Sequence, residues 1–204
     1  MKIVTAETAG FCFGVRRAVE ICERAAAERT ECVTLGPIIH NSGVVAALAK
    51  KGVRPAAGLS ELPADGTVII RSHGVGRDEY SRLASTKLNV IDATCPYVAK
   101  IHKIVADAYA GGRLPVIIGE RAHPEVAAIA GWCAESEIFE TPGELAAWFK
   151  KFPENAEKPL SVVFQTTETR AVFDNSAEII KKECTNHQIF DTICNATNRR
   201  QQEA

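Results

Sequence analysis

The feature that most constrains this chain is an alternation. Short apolar runs at 2–5, 32–35, 67–71, 89–92, 114–119, 161–164 and 189–191 read as strands. Segments with helical apolar spacing lie between and beyond them, at 14–29, 42–51, 77–85, 96–110, 124–132, 142–152 and 169–184. Strand and helix in turn predict an α/β fold of successive βα units on mostly parallel sheets, because a parallel neighbour is reached through a crossover helix. Pro96, Pro124 and Pro142 each stand where a first helical turn begins, a position that needs no N–H. Gly52 sits where a helix would be capped at its carboxyl end. The stretch 153–159, with two prolines and mixed charge, reads as a surface loop.

Charge and cysteine usage narrow the setting. Twenty-four basic residues against 25 acidic ones give a net charge of −1. There is no polybasic field to hold a nucleic-acid backbone or an acidic membrane, so neither is expected as a partner. The amino end shows no signal-peptide core and no stretch is apolar enough to span a bilayer, which predicts a cytoplasmic protein. Seven cysteines, an odd number, without a C-x-x-C argue against a disulfide framework, a zinc ribbon or a dithiol redox pair. Cys22 and Cys184 fall on apolar helical stripes and read as core. Cys32, inside a strand, and Cys133, after a helix, read as structural.

Cys12, Cys95 and Cys194 are different. Each stands at a strand-to-helix junction, in a weak threefold repeat whose last two members share D-x-x-C. A helix N-terminus favours thiolate over thiol. Each is followed within a few residues by cations: Arg16 and Arg17, Lys100, Arg199 and Arg200. They are either three unrelated junction cysteines or a set of metal ligands; three thiolates from separate units would leave one position on a metal open. For zinc that would be a catalytic site; for an iron–sulfur cube it would leave one iron able to act as a Lewis acid. The spacing alone does not choose, although Cys95-Pro96 is the kind of pair that ends ferredoxin cluster runs.

Three histidines fall at strand ends, where open α/β sheets place ligands: His40, His73 and His123. Beside helix N-termini they are candidate donors to phosphate or diphosphate. His102 and His187 read as packing or surface residues. Gly74-Val75-Gly76 opens like a dinucleotide fingerprint, but Glu79 holds the third glycine's place, which excludes that site. Glu125, at a helix start two residues past His123, either complements the helix dipole or serves as a general acid. Thr166, in Gln165-Thr166-Thr167, either caps a helix or aims its hydroxyl at a ligand.

Taken together, these motifs resemble the family of 4-hydroxy-3-methylbut-2-enyl diphosphate reductases (LytB/IspH). The likeness is carried by G-F-C-F-G-V at Cys12, H-N at His40, S-H-G at His73, D-A-T-C-P at Cys95, H-P-E-V at His123, Q-T-T at Thr166 and C-N-A-T-N-R-R-Q at Cys194, in the family's order. The resemblance implies an oxygen-sensitive [4Fe-4S] enzyme at the end of the non-mevalonate isoprenoid pathway. It would reductively remove an allylic hydroxyl as water and give isopentenyl and dimethylallyl diphosphates. By that likeness Cys12, Cys95 and Cys194 ligate three irons, and the fourth iron takes the substrate hydroxyl. His40, His73 and His123 hold the diphosphate, Glu125 delivers a proton and Thr166 orients the hydroxyl. Electrons come from ferredoxin or flavodoxin.

The family's fold is a trefoil of three α/β units, of which this chain matches two. The expected partition is 1–13, a first strand and cluster loop that packs with the third unit; 14–95, the first unit; 96–193, the second; and 194–204, the start of a third. The family's later serine/asparagine motif, S-x-N-S-like, which also grips the diphosphate, does not follow Cys194. The implied readings are a piece of a longer protein, a chain completed by a partner, or a non-catalytic module that binds a cluster or a diphosphate.

Overall fold

A computed structural model describes residues 4–28 and 31–203. The chain divides into two compact units: one of Phe11–Ala99, the other of the described residues in Met1–Gly10 and Lys100–Ala204. The first carries α1 (Phe13–Ala27), β1 (Cys32–Leu35), α2 (Ser42–Lys50), β2 (Val53–Ala56), β3 (Thr67–Ile70), α3 (Arg77–Ala84) and β4 (Asn89–Asp92). After α4 (Pro96–Ala110) come β5 (Leu114–Ile118), α5 (Pro124–Ala130), β6 (Glu137–Phe139), α6 (Pro142–Lys151), β7 (Leu160–Phe164), α7 (Arg170–Glu183), β8 (His187–Ile189) and α8 (Asn195–Glu203).

Each unit has one four-stranded sheet, and the two share a plan. The strand orders are β2-β1-β3-β4 and β6-β5-β7-β8, and every pairing is parallel. Central strands buried on both faces must be apolar throughout, and β1, β3 and β7 are buried along their whole length. In the first unit Cys32 and Ile69 pack on one face with Ala18, Ile21, Cys22 and Ala25 of α1. Val33, Leu35, Val68 and Ile70 pack on the other face with Leu83. In the second unit Val116, Val162 and Phe164 meet Leu145, Trp148 and Ile180, while Ile117 and Val163 meet Ile101, Val105, Val126 and Ile129. Burying each such side chain contributes about 1.5–3 kcal/mol.

Strands β2 and β6 do not stand out in the sequence, and both are edge strands. An edge strand needs little apolar surface and tolerates proline: Val53-Arg54-Pro55-Ala56 buries only its two ends. The edge strand β8 begins two residues before the apolar run at 189–191. The 153–159 stretch folds as a 3-10 turn over Pro153–Glu157 that buries Asn155. Lys2 and Ile3 of the expected first strand lie outside the described residues, and Val4 and Thr5 belong to no strand. Among the described residues no helix is long and apolar enough to cross a membrane.

In each sheet the order reverses beside the first strand, so the connections leaving β1 and β3, and likewise β5 and β7, run to opposite sides. Such a switch point opens a crevice at the carboxyl ends of two neighbouring strands. In the first unit it lies between the loops after β1 and β3, and in the second between the loops after β5 and β7. Both are roofed alike. Gly36, one residue past β1, faces Arg71, one residue past β3: a Cβ there would lie 2.5 Å from the guanidinium. Gly119, one past β5, faces Gln165, one past β7: a Cβ there would lie 2.7 Å from the Gln165 Cβ.

Candidate active site

The first switch point presents two imidazoles. His40 ends the loop after β1 and His73 lies on the loop after β3, with ring centroids 4.6 Å apart. Ser72 stitches the two loops together: its N–H and its hydroxyl both donate to the Ile38 carbonyl, at 3.2 and 2.9 Å. Asn41, next to His40, caps α2 by accepting from the Val44 N–H at 3.0 Å. The loops that carry the imidazole pair are thus fixed both by these bonds and by the burial of Ile38, Ile39 and Val75.

The second switch point presents a carboxyl group and a hydroxyl. Glu125 is only 3% exposed and Thr166 7%. The Thr166 N–H donates to Glu125 Oε1 at 2.7 Å and its hydroxyl donates to Oε2 at 2.8 Å. Burial pushes the Glu125 pKa up from 4.5, and the two Thr166 bonds pull it back only in part. Desolvation outweighs hydrogen bonding, so this acid keeps its proton to higher pH than an exposed glutamate. His123 stands beside it at the start of α5, and its Nδ1 accepts from the Glu125 N–H at 3.1 Å. An accepting Nδ1 makes the ring neutral, with its proton on Nε2, so His123 can donate to an anionic oxygen.

The three junction cysteines share one role in the backbone. The carbonyls of Cys12, Cys95 and Cys194 accept from the N–H groups of Arg16, Ala99 and Asn198, so each residue caps the helix that follows it. The sequence placed each thiol at a junction; the structure makes all three N-caps. Cys95 lies directly against the first turn of α1, the helix capped by Cys12. A Cβ on Gly14 would come within 2.5 Å of Cys95 Sγ, so only glycine allows this approach. Cys194 Sγ accepts from the Thr197 N–H at 3.4 Å and lies 3.4 Å from its hydroxyl.

The D-x-x-C repeat is structural as well. Ile70 pairs with Asp92, and continuing the β7–β8 register sets Phe164 beside Asp191. The Cys95 N–H donates to the Ser72 carbonyl at 2.9 Å, and the Cys194 N–H to the Thr166 carbonyl at 3.0 Å. Each thiol is thus pinned to the loop that leaves the switch point of its own sheet.

All seven cysteines are free thiols, which fits a chain without a disulfide framework. Cys22 and Cys32 are core: burial pushes the Cys22 thiol up to about 12 and raises Cys32 as well. Cys184 is buried in the second core, and Cys133 donates to the Ala130 carbonyl at 3.3 Å. His102 is buried and stacked on Trp132 at 5.3 Å. His187 Nδ1 contacts the Cys184 carbonyl at 2.8 Å. Gly14, Ser72 and Thr197 do not stand out in the sequence as site residues. The signal for Gly14 is its place two residues past Cys12, on the face that the next thiol occupies.

A family model described as LytB protein matches residues 3–204. The chain belongs to the LytB family. It is 37% identical over 214 residues to the 4-hydroxy-3-methylbut-2-enyl diphosphate reductase of Alkaliphilus oremlandii, covering 100% of this chain and 72% of that protein. It is 39% identical over 208 residues to the like-named protein of Geobacter metallireducens, covering 100% and 70%. A solved structure of (E)-4-hydroxy-3-methyl-but-2-enyl diphosphate reductase, described as the terminal enzyme of the non-mevalonate pathway, superimposes with a TM-score of 0.82 at 38% identity, over 98% of this chain and 71% of that one. A second, E-1-hydroxy-2-methyl-but-2-enyl-4-diphosphate reductase from Plasmodium falciparum, gives 0.86 at 27% identity, over 95% and 61%. This LytB chain thus places its sequence motifs on two sheets of one plan.

Proposed function

We propose that this LytB chain works as a 4-hydroxy-3-methylbut-2-enyl diphosphate reductase in the cytoplasm, taking electrons from ferredoxin or flavodoxin. Two electrons and two protons enter, the allylic C–O bond breaks, water leaves and a C–H bond forms, giving isopentenyl and dimethylallyl diphosphates. The reading rests above all on Thr166. Its N–H and hydroxyl grip the buried Glu125 carboxyl while its carbonyl holds the Cys194 N–H. One residue therefore ties the proton-bearing group to a thiol of the metal set.

The chain's own groups have distinct tasks. Cys12, Cys95 and Cys194 would hold a [4Fe-4S] cluster, and the donor chemistry fits: three N-capping thiols, one of them given room against α1 by the absence of a Cβ at Gly14. When bound, the cluster supplies electrons singly and offers one iron without a protein ligand as a Lewis acid. Glu125, kept protonated by burial, donates its proton to the departing hydroxyl oxygen, and Thr166 orients that hydroxyl. His123, a neutral Nε2–H donor, and the His40–His73 pair bind the diphosphate oxygens. Dry walls around Glu125 keep its proton from exchanging with bulk water before the bond breaks.

Anaerobic reconstitution of the chain with iron and sulfide counting, wild type against Cys194→Ser, tests the reading. A cluster in the wild type and its loss in the variant are expected. Three thiols that titrate as ordinary cysteines, with no bound iron, would overturn it. A cluster with no reduction of the diphosphate substrate would leave a binding module instead.

A further inference from the structure

The cations that follow the junction cysteines suggest, by position alone, charge balance for an anionic cluster. Two of them do something more specific. Arg17 lies on α1, the helix capped by Cys12. Its Nη1 donates to the Thr94 carbonyl at 3.1 Å and its Nη2 to the Asp92 carbonyl at 3.2 Å. Those carbonyls stand one and three residues before Cys95. The turn they belong to is closed from within, because the Thr94 N–H donates to Asp92 Oδ1 at 2.8 Å. Arg200 repeats the device. It lies on α8, the helix capped by Cys194. Its guanidinium donates to the Thr8 carbonyl at 3.3 Å and to the Gly10 carbonyl. Those carbonyls stand four and two residues before Cys12. Glu203, one turn further along α8, accepts from the N–H groups of Glu7 and Thr8. The loop before Cys194 is held differently, by the Thr192 hydroxyl, which donates to the Phe164 carbonyl at 2.6 Å and accepts from the Phe164 N–H at 2.7 Å.

We propose that Arg17 and Arg200 are positioning residues for the cluster thiols, each reaching from the helix that one thiol caps to the main chain that leads into another. Part of this rests on the proposed function, since it takes the three thiols as one ligand set. The chemistry favours arginine in the role. A planar fork spans two carbonyl oxygens at once, whereas an ammonium is a point donor. A loop fixed at two carbonyls presents its next thiol in one direction, so less ordering is left to the moment of metal binding. The clamps also run in sequence, from Cys12's helix to Cys95 and from Cys194's helix to Cys12. Losing one clamp should therefore loosen a specific thiol, and not the one on the arginine's own helix.

That asymmetry supplies the test. In the metal-free chain, the alkylation rate of each cysteine by iodoacetamide is followed by mass spectrometry in wild type, Arg17→Met, Arg17→Lys and Arg200→Met. Arg17→Met should raise the rate at Cys95 about tenfold and leave Cys12, on its own helix, unchanged. Arg200→Met should do the same at Cys12 and leave Cys194, on its own helix, unchanged. Arg17→Lys should fall between Arg17→Met and wild type. In parallel, iron and sulfide retained after anaerobic reconstitution should drop in both Met variants. If all thiols speed up together, or none does while iron content stays at the wild-type level, the clamps are ordinary structural bonds and the proposal fails. A wild-type chain that takes up no iron would instead refute the proposed function, with the alkylation pattern still deciding the clamps.

Discussion

The two sheets of this chain are near copies in plan and opposites in chemistry. Each has the order edge, first strand, central strand, last strand, and each puts a glycine against a long polar side chain at its switch point. In the first, the crevice ends in His40 and His73, with Arg71 behind them; the guanidinium is half-buried, and burial lowers its pKa. In the second, it ends in Glu125 and Thr166, with Gln165 behind them, donating to the Thr167 hydroxyl at 2.9 Å and accepting from the Glu120 N–H at 2.9 Å. One scaffold therefore yields a donor-rich surface suited to anionic oxygens and a dry pocket suited to holding a proton. The difference lies in a few loop residues, while the strands that aim them are interchangeable in kind. The same plan also fixes a thiol beside each crevice, Cys95 through the Ser72 carbonyl and Cys194 through the Thr166 carbonyl, so the thiols come with the scaffold and the crevice side chains vary on it.

Substitutions in the two crevices should separate these roles. Glu125→Gln keeps the shape but cannot give up a proton, and should lower turnover about 10²–10⁴-fold while iron content stays constant. Equal losses of turnover and iron would mean that Glu125 only supports the fold. His40→Ala and His73→Ala should instead raise KM for the diphosphate about tenfold or more, with a smaller effect on kcat, because each removes a donor to charged oxygen. A pure kcat effect would undo the contrast between the sheets.

The roofing glycines give a smaller effect, read in stability. Gly119→Ala would press its Cβ against the Gln165 Cβ at 2.7 Å and Val126 Cγ2 at 2.9 Å, atoms that cannot swing away, and should cost about 1–3 kcal/mol. Gly36→Ala meets only the mobile end of Arg71, but its φ of +74° is unfavourable for alanine, so it should cost about 1–2 kcal/mol. Denaturant midpoints compare the two directly. The smallest effect is in pH dependence. Because the Glu125 pKa is raised on folding, its contribution is fully present below 4.5 and is lost as pH climbs through the folded value. Wild type should thus lose stability relative to Glu125→Gln above pH 4.5. The loss is about 1.4 kcal/mol for every tenfold by which folding tightens the carboxyl's hold on its proton. Parallel curves across the acid range would show an exposed, ordinary carboxyl.

Much of this is legible in the sequence, and what is not has physical causes. Buried central strands such as Thr67–Ile70 announce themselves because both faces must be apolar. The edge strands Val53–Ala56 and Glu137–Phe139 do not, since the first buries only its two ends and the second is three residues long and fully buried only at Phe139. The thiols, histidines, Glu125 and Thr166 stand out because reactive residue types recur at strand ends. Their partners are harder to see. Nothing in Gly-Val-Arg-Arg says which arginine will reach two carbonyls near residue 94, because that depends on how α1 lies on the sheet. Ser72 reads as an ordinary neighbour of His73, and only the fold reveals its two bonds to the Ile38 carbonyl. Nor can the sequence decide between dipole complement and acid for Glu125: that needs its burial and the two bonds from Thr166.

Infrared titration of the carboxyl groups, taken as a difference between wild type and Glu125→Gln, measures the proton on which the second crevice depends. A protonated-carboxyl band that belongs to Glu125 and persists well above pH 4.5 is the expected result. A band that disappears with the exposed glutamates, at or below that value, would contradict the account.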